Sequence, residues 1–179
     1  RHPGEDPALA IVTADHSIGR PERFRAAVRT ALATAEAEET LVTIGIKPSR
    51  PETGYGYIQF DRIGPGPVFP VVQFKEKPSL AEANRYLAEG KYLWNSGMFF
   101  WRLSVFMKQM ALTSPPHAQA IQAMAQAIGS GDERRLDEIF AGLPDISIDY
   151  ALMEKAARVA VVPGDFAWDD VGAWDALDR

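Results

Sequence analysis

The sequence predicts an α/β fold: one domain spanning residues 1–179, with a mostly parallel central sheet flanked by helices and an inserted β-rich and helical part. Three observations predict it. The first fifty residues read strand, helix, strand; a capped helix follows a pair of short β-like runs; and an apolar strand returns near the end.

The first run, Ala8 to Thr13 (ALAIVT), is continuously apolar and ends in Ala14-Asp15-His16, as expected of a strand buried on both faces with polar groups at its C-terminal end. A helix follows. Pro21 and Glu22 suit its first turn, and Phe24, Ala27, Val28, Ala31, Leu32 and Ala35 fall on one face at spacings of three and four. Thr40 to Ile46 is a second buried strand, completing a parallel βαβ unit. Tyr55 to Phe60 and Val68 to Phe74 are β-rich runs separated by the turn-forming RIGPGP. Ser79 with Glu82 makes a capping box, and Gly90 stands where that helix stops. Leu103 to Leu143 is mostly helical, broken at TSPPH and GSGD; Arg158 to Val162 is a strand, and Val171 to Leu177 reads as a closing helix packed through Trp174 and Leu177.

Composition narrows the function classes. The chain is 46% hydrophobic and 24% charged, the balance of one globular domain. With no Cys there is neither a disulfide framework nor a thiolate metal site, which points to the cytoplasm and to oxygen or imidazole ligands for any metal. No apolar run approaches the roughly 18 residues needed to cross a bilayer, so a membrane role is disfavoured. A net charge of -5 without a Lys/Arg cluster argues against nucleic acid as a partner.

In open α/β sheets ligands bind beyond the carboxyl ends of strands. Asp15, Glu76 with Lys77, Asn95 within YLWNSGMFFW, and Asp169 with Asp170 occupy such places. Singly each is ordinary: an acid after a strand commonly caps a helix, and N-S-G commonly makes a turn. Together they are a chemical set. Two carboxylates can hold a hard divalent cation, a lysine can neutralise a phosphate, and Glu with Asn can fix sugar hydroxyls by direction. There is no G-x-S-x-G elbow and no Cys, and the three His lack metal-ligand spacing; His16 reads as a structural hydrogen-bonder.

PETGYGYI (51–58), FKEKP (74–78), YLWNSGMFFW (92–101), SIDYALMEK (147–155) and WDDVGAW (168–174), in that order, resemble the corresponding segments of mannose-1-phosphate guanylyltransferases, within the sugar-nucleotide pyrophosphorylase family. TADH (13–16) resembles that family's first metal-binding turn, with Thr13 where Pro is usual. The resemblance implies a Rossmann-like nucleotidyltransferase fold and transfer of GMP from GTP to mannose 1-phosphate, giving GDP-mannose and pyrophosphate. By it, Asp15 and Asp170 bind Mg²⁺, and Asp15, Lys77 and Asp170 form the catalytic set. Gly56 brings backbone close to the sugar, Glu76 and Asn95 bind its hydroxyls, and Lys77 takes the phosphate. Asp149 and Lys155 complete the pocket, a plain helical Asp and Lys being the alternative. The family's N-terminal signature, a Gly-rich loop with Arg and Pro-Lys, does not occur here. The expectation is therefore a C-terminal, sugar-binding portion that lacks the first strand and much of the nucleotide site. Such a portion would be inactive alone, with exposed sheet edges that a homodimer or the remaining chain would cover. Three rivals stay open: a non-catalytic sugar-phosphate-binding module, a relative using glucose 1-phosphate with UTP or dTTP, and a metal-dependent hydrolase built on Asp15 and Asp170.

Overall fold

A computed structural model of the chain describes residues 4–63 and 66–171. In chain order these form strand β1 (Ala8–Ile11), the short strand β2 (Ser17–Ile18), helix α1 (Pro21–Ala37), and strands β3 (Leu41–Ile46), β4 (Tyr57–Phe60) and β5 (Phe69–Lys75). Helix α2 (Leu80–Glu89) and the long strand β6 (Tyr92–Arg102) follow, then helices α3 (Leu103–Thr113), α4 (Pro115–Ser130) and α5 (Glu133–Ala141). A π-helical turn (Asp149–Met153) and strands β7 (Val159–Gly164) and β8 (Trp168–Asp169) complete the described part.

Local chemistry explains the element ends. Pro opens α1, the Ser79–Glu82 capping box opens α2, and Gly90 closes α2 at φ +65. Pro115 and Gly131 bracket α4, as the breaks at TSPPH and GSGD predict. The closing helix expected over Val171 to Leu177 lies, from residue 172 on, outside the described residues.

The sheet differs from expectation in direction. Its order is β1-β6-β3-β7-β5-β4, with a further β6–β4 pairing that closes β6, β3, β7, β5 and β4 on themselves. Only β3 and β7 pair in parallel; every other pair is antiparallel, so the sheet is mixed rather than mostly parallel. β6 lies between β1 and β3, which therefore run the same way without sharing hydrogen bonds. The physical reason is that continuous apolar runs report burial on two faces and carry no information about strand direction. β1 is also an edge strand, and Ile11 is 42% exposed, against the expectation of a strand covered on both faces.

Two apolar clusters cover the sheet. On one face α1 and α2 pack Ala27, Ala31, Ala35, Ala83 and Tyr86 onto Val42, Ile44, Trp94 and Phe100. On the other, α3, α4 and the π-turn pack Val105, Met110, Ala118 and Leu152 onto Leu41, Leu93, Phe99 and Trp101. N-S-G is not a turn between strands but a bulge inside β6: Thr43 pairs with Phe99 and Gly45 with Asn95, so β6 spends four residues where β3 spends two. Because the excess is even, Trp94 and Phe100 stay on one face and Leu93 and Phe99 on the other. Gly97 takes φ +71 within the bulge, a conformation that glycine tolerates best.

Candidate active site

An open depression of about 160 Å³ is lined by His16, Gly54, Tyr55, Gly56, Glu76, Asn95, Ser96, Gly97, Asp149, Trp168 and Asp170. Larger clefts exist, such as one of about 570 Å³ beside Lys47 and Arg62, but none of the expected site residues lines that cleft.

The β6 bulge aims Asn95. Its Oδ1 lies 3.1 Å from the buried Thr43 hydroxyl and accepts the Gly97 N–H at 3.3 Å, while its Nδ2 donates to Asp149 Oδ1 at 3.1 Å. The amide is thereby oriented before any ligand arrives. Its backbone N–H donates to the Gly56 carbonyl at 2.8 Å, fixing the G-Y-G segment over β6.

Glu76 and Lys77 sit on the turn that leaves β5. The Glu76 N–H donates to Glu154 Oε1 at 2.8 Å. Lys77 adopts φ +45 immediately before the buried Pro78, a left-handed conformation unfavourable for a lysine. Glu76 Oε2 is buried without a hydrogen-bond partner. Burial pushes the Glu76 carboxyl up to about 7, with Asp149 and Glu154 adding to the shift and Lys77 opposing it. Burial raises Asp149 as well. Gly56 explains how the carboxylate fits, since a Cβ there would lie 2.5 Å from Glu76 Oε2 and 3.2 Å from Asn95 Cβ.

The acidic side of the depression is built by the β2–β8 ribbon. Ser17 pairs with Asp169 in antiparallel register, so Asp15 and Asp170 leave the ribbon at the same end. Asp15, Asp170 and Asp169 all favour the charged form of His16, yet burial outweighs them and lowers its pKa. Trp168 Nε1 donates to His16 Nδ1 at 3.0 Å, and the Thr13 hydroxyl lies 2.6 Å from the same nitrogen. The proton of the neutral ring is thus on Nε2. Tyr55 donates to Asp170 Oδ1 at 2.7 Å, with its ring set edge-on against Trp94 and Trp168. Burial, followed by this carboxylate, drives the phenol pKa above its ordinary value. Asp169 Oδ1 accepts the N–H of Val171, which takes φ +51, a strained conformation for a β-branched residue.

Gly56, Glu76, Asn95, Asp149 and Asp170 therefore line one depression. Lys77 stands beside it, close enough for its charge to act on Glu76 and Asp149. Asp15 is exposed and is not among the lining residues, although its charge acts on His16. Lys155 departs from expectation: it is exposed and does not line the depression, because the preceding residue, Glu154, is the one turned toward the E-K-P turn. Thr43, Tyr55 and Glu154 escaped the sequence reading. Tyr55 lies in PETGYGYI and Glu154 in SIDYALMEK, but their contacts, like that of Thr43, reach across 115, 78 and 52 residues and carry no local signal.

The nucleotidyl transferase family pattern matches residues 2–179. The chain belongs to the nucleotidyl transferase family. Among its relatives, the xanthan biosynthesis protein XanB of Xanthomonas campestris pv. campestris is 48% identical over 176 residues, covering 97% of the chain and 37% of XanB. A mannose-1-phosphate guanylyltransferase of Escherichia coli K12 is 43% identical over 184 residues, covering 99% of the chain and 38% of the relative. A crystal structure described as a "mannose-1-phosphate geranyltransferase" from Thermus thermophilus superposes with a TM-score of 0.86 at 43% identity, covering 97% of the chain and 49% of the solved one. The chain thus spans less than two fifths of the length of these curated relatives.

Proposed function

We propose that this chain carries the sugar-phosphate site of a mannose-1-phosphate guanylyltransferase, which transfers GMP from GTP to mannose 1-phosphate and releases GDP-mannose and pyrophosphate. The observation that carries the reading is the convergence of Glu76, Asn95 and Asp149 from three distant segments on one small depression, with Lys77 at its margin and carboxylates opposite.

In the proposed reaction a phosphate oxygen of mannose 1-phosphate attacks the α-phosphorus of GTP as the bond from that phosphorus to the β-phosphate bridging oxygen breaks. A sugar phosphate is mostly ionised at neutral pH, so no side chain has to remove a proton. The chain's work is positioning and charge neutralisation. Glu76 Oε2, otherwise unpartnered, accepts from a sugar hydroxyl, Asn95 and Asp149 form the adjoining wall, and Lys77 pairs with the phosphate. The carboxylates at the ribbon end suit Mg²⁺ by donor chemistry: all oxygen, acting on one imidazole, and few enough to leave positions for water and phosphate oxygens. Among the described residues no group of three or more such side chains forms a complete metal cage, consistent with a cation that phosphates help to hold. Asp15 and Asp170 are the residues assigned to it, and bound Mg²⁺ would offset the negative charge of the phosphates. No described helix is long and apolar enough to cross a membrane; together with the lack of Cys, this supports a cytoplasmic reaction.

Calorimetric titration with mannose 1-phosphate in Mg²⁺, against glucose 1-phosphate and a Lys77→Ala variant, tests the reading. Saturable binding that prefers mannose and is lost in the variant is expected. Preference for glucose 1-phosphate would transfer the site to a different pyrophosphorylase, and no binding by folded protein would overturn the reading.

A further inference from the structure

The E-K-P turn is held from outside itself. Lys77 combines a left-handed backbone with a following proline, and each feature alone disfavours the conformation observed. Such a turn persists where surrounding contacts over-determine it. The contact available is the Glu154 carboxylate, which accepts the Glu76 N–H at 2.8 Å. Glu154 is itself placed by the π-turn, since its own N–H closes the five-residue step to the Asp149 carbonyl at 2.9 Å. The extra residue of that step turns Glu154 toward β5 while Asp149 meets Asn95. One short element therefore grips both sides of the depression.

We propose that Glu154 is a positioning residue for sugar-phosphate binding, its carboxylate holding the E-K-P turn in the form that presents Glu76 and Lys77 to one ligand. The inference rests on the sugar-phosphate reading above and adds a residue that touches no ligand atom itself. Glu154 acts in two separable ways. Its oxygen accepts the Glu76 N–H, and its negative charge favours the protonated form of the Glu76 side chain. The charged groups facing Glu76 are Asp149 and Glu154 from the π-turn and Lys77 from its own turn; Gly56 and Asn95 face it without charge.

The test is titration of the wild type, Glu154→Gln and Glu154→Ala with mannose 1-phosphate on both sides of pH 7. Glu154→Ala loses both actions, and its affinity is expected to fall about tenfold or more, the range for a hydrogen bond to a charged group. Glu154→Gln keeps an acceptor oxygen and loses the charge. It is expected to bind within about threefold of wild type above pH 7, with the rise in affinity that accompanies Glu76 ionisation moved to lower pH. The ligand's own ionisation is common to all three proteins and drops out of the comparison. A merely structural role would weaken both variants at every pH without moving that rise, and this result would overturn the proposal. So would unchanged affinity in Glu154→Ala. Should Glu154→Ala not fold, Glu154→Asp decides: it keeps the charge but draws the acceptor oxygen back by one methylene, so a loss of affinity with the rise unmoved supports the proposal and unchanged affinity refutes it. Failure of the wild type to bind would instead strike the sugar-phosphate reading, and the proposal with it.

Discussion

Replacing Lys77 by glycine separates what its backbone costs from what its charge contributes. At φ +45 a residue with a Cβ is strained by about 1–2 kcal/mol relative to glycine, whereas the greater freedom of glycine in the unfolded chain offsets about 0.5–1 kcal/mol. Lys77→Gly is therefore expected to stabilise the fold by about 0–1.5 kcal/mol, which for a domain of this size raises Tm by up to about 5 °C. Lys77→Ala removes the same charge and keeps the Cβ, so it should melt below Lys77→Gly by a comparable margin. Binding should respond oppositely. Loss of a charge-assisted contact to phosphate is worth about 1.5–3 kcal/mol, or about 10- to 150-fold in affinity, and both variants should show it equally. Thermal melting with calorimetric titration of mannose 1-phosphate reads both quantities on the same samples. If Lys77→Gly melts below Lys77→Ala, the turn is not strained as argued. If either variant binds as tightly as wild type, Lys77 does not hold the phosphate.

Two further substitutions test the frame of the site. Gly56→Ala puts a Cβ 2.5 Å from Glu76 Oε2, the end of a side chain that can swing away, and 3.2 Å from Asn95 Cβ, so it should displace the Glu76 carboxyl and weaken sugar-phosphate binding at a cost of at most about 1 kcal/mol in urea unfolding; unchanged affinity would contradict the packing. Thr43→Val removes the hydroxyl 3.1 Å from Asn95 Oδ1, and a loss of about 1–2 kcal/mol in the same assay is expected, with an unchanged midpoint counting against a locked amide.

The sequence made the elements legible wherever the signal was local. The α2 capping box, the α1 apolar face and the breaks at Pro115 and Gly131 all depend on residues within a turn of one another, and all appear where expected. Strand direction was not legible, because β3 and β6 carry the same two-sided apolar pattern although one has a parallel neighbour and the other has none. The site divides the same way. Glu76, Asn95 and Gly56 could be named because short motifs surround them. Their supports, Thr43 and Glu154, could not: the contacts that matter span 52 and 78 residues, and although Glu154 lies inside SIDYALMEK, that segment does not show that its carboxylate meets the E-K-P turn. Lys155, expected beside Asp149 in the same segment, is exposed and outside the lining of the depression.

Glu76 shows what the site gives up for its chemistry. Its folded carboxyl titrates near 7 against 4.5 for an unperturbed glutamate, so the folded chain binds this proton more tightly than the unfolded chain does. The associated stability is fully present below about pH 4.5 and is lost as pH rises through about 7. A Glu76→Gln variant has no such proton to lose. Its Tm should match that of the wild type at about pH 3.5, where the wild-type carboxyl is protonated in both the folded and the unfolded chain, and exceed it near pH 8, where the wild type holds a desolvated carboxylate beside Asp149 and Glu154. A difference that is constant across this range, or one that favours the wild type as pH rises, would show that Glu76 does not carry the burden that its surroundings impose. With saturating mannose 1-phosphate the order at pH 8 should reverse, because the ionised Oε2 then accepts a charge-assisted bond from a sugar hydroxyl, stronger than the one a neutral amide oxygen accepts. A side chain that destabilises the empty protein and stabilises the occupied one is placed for its ligand rather than for the fold.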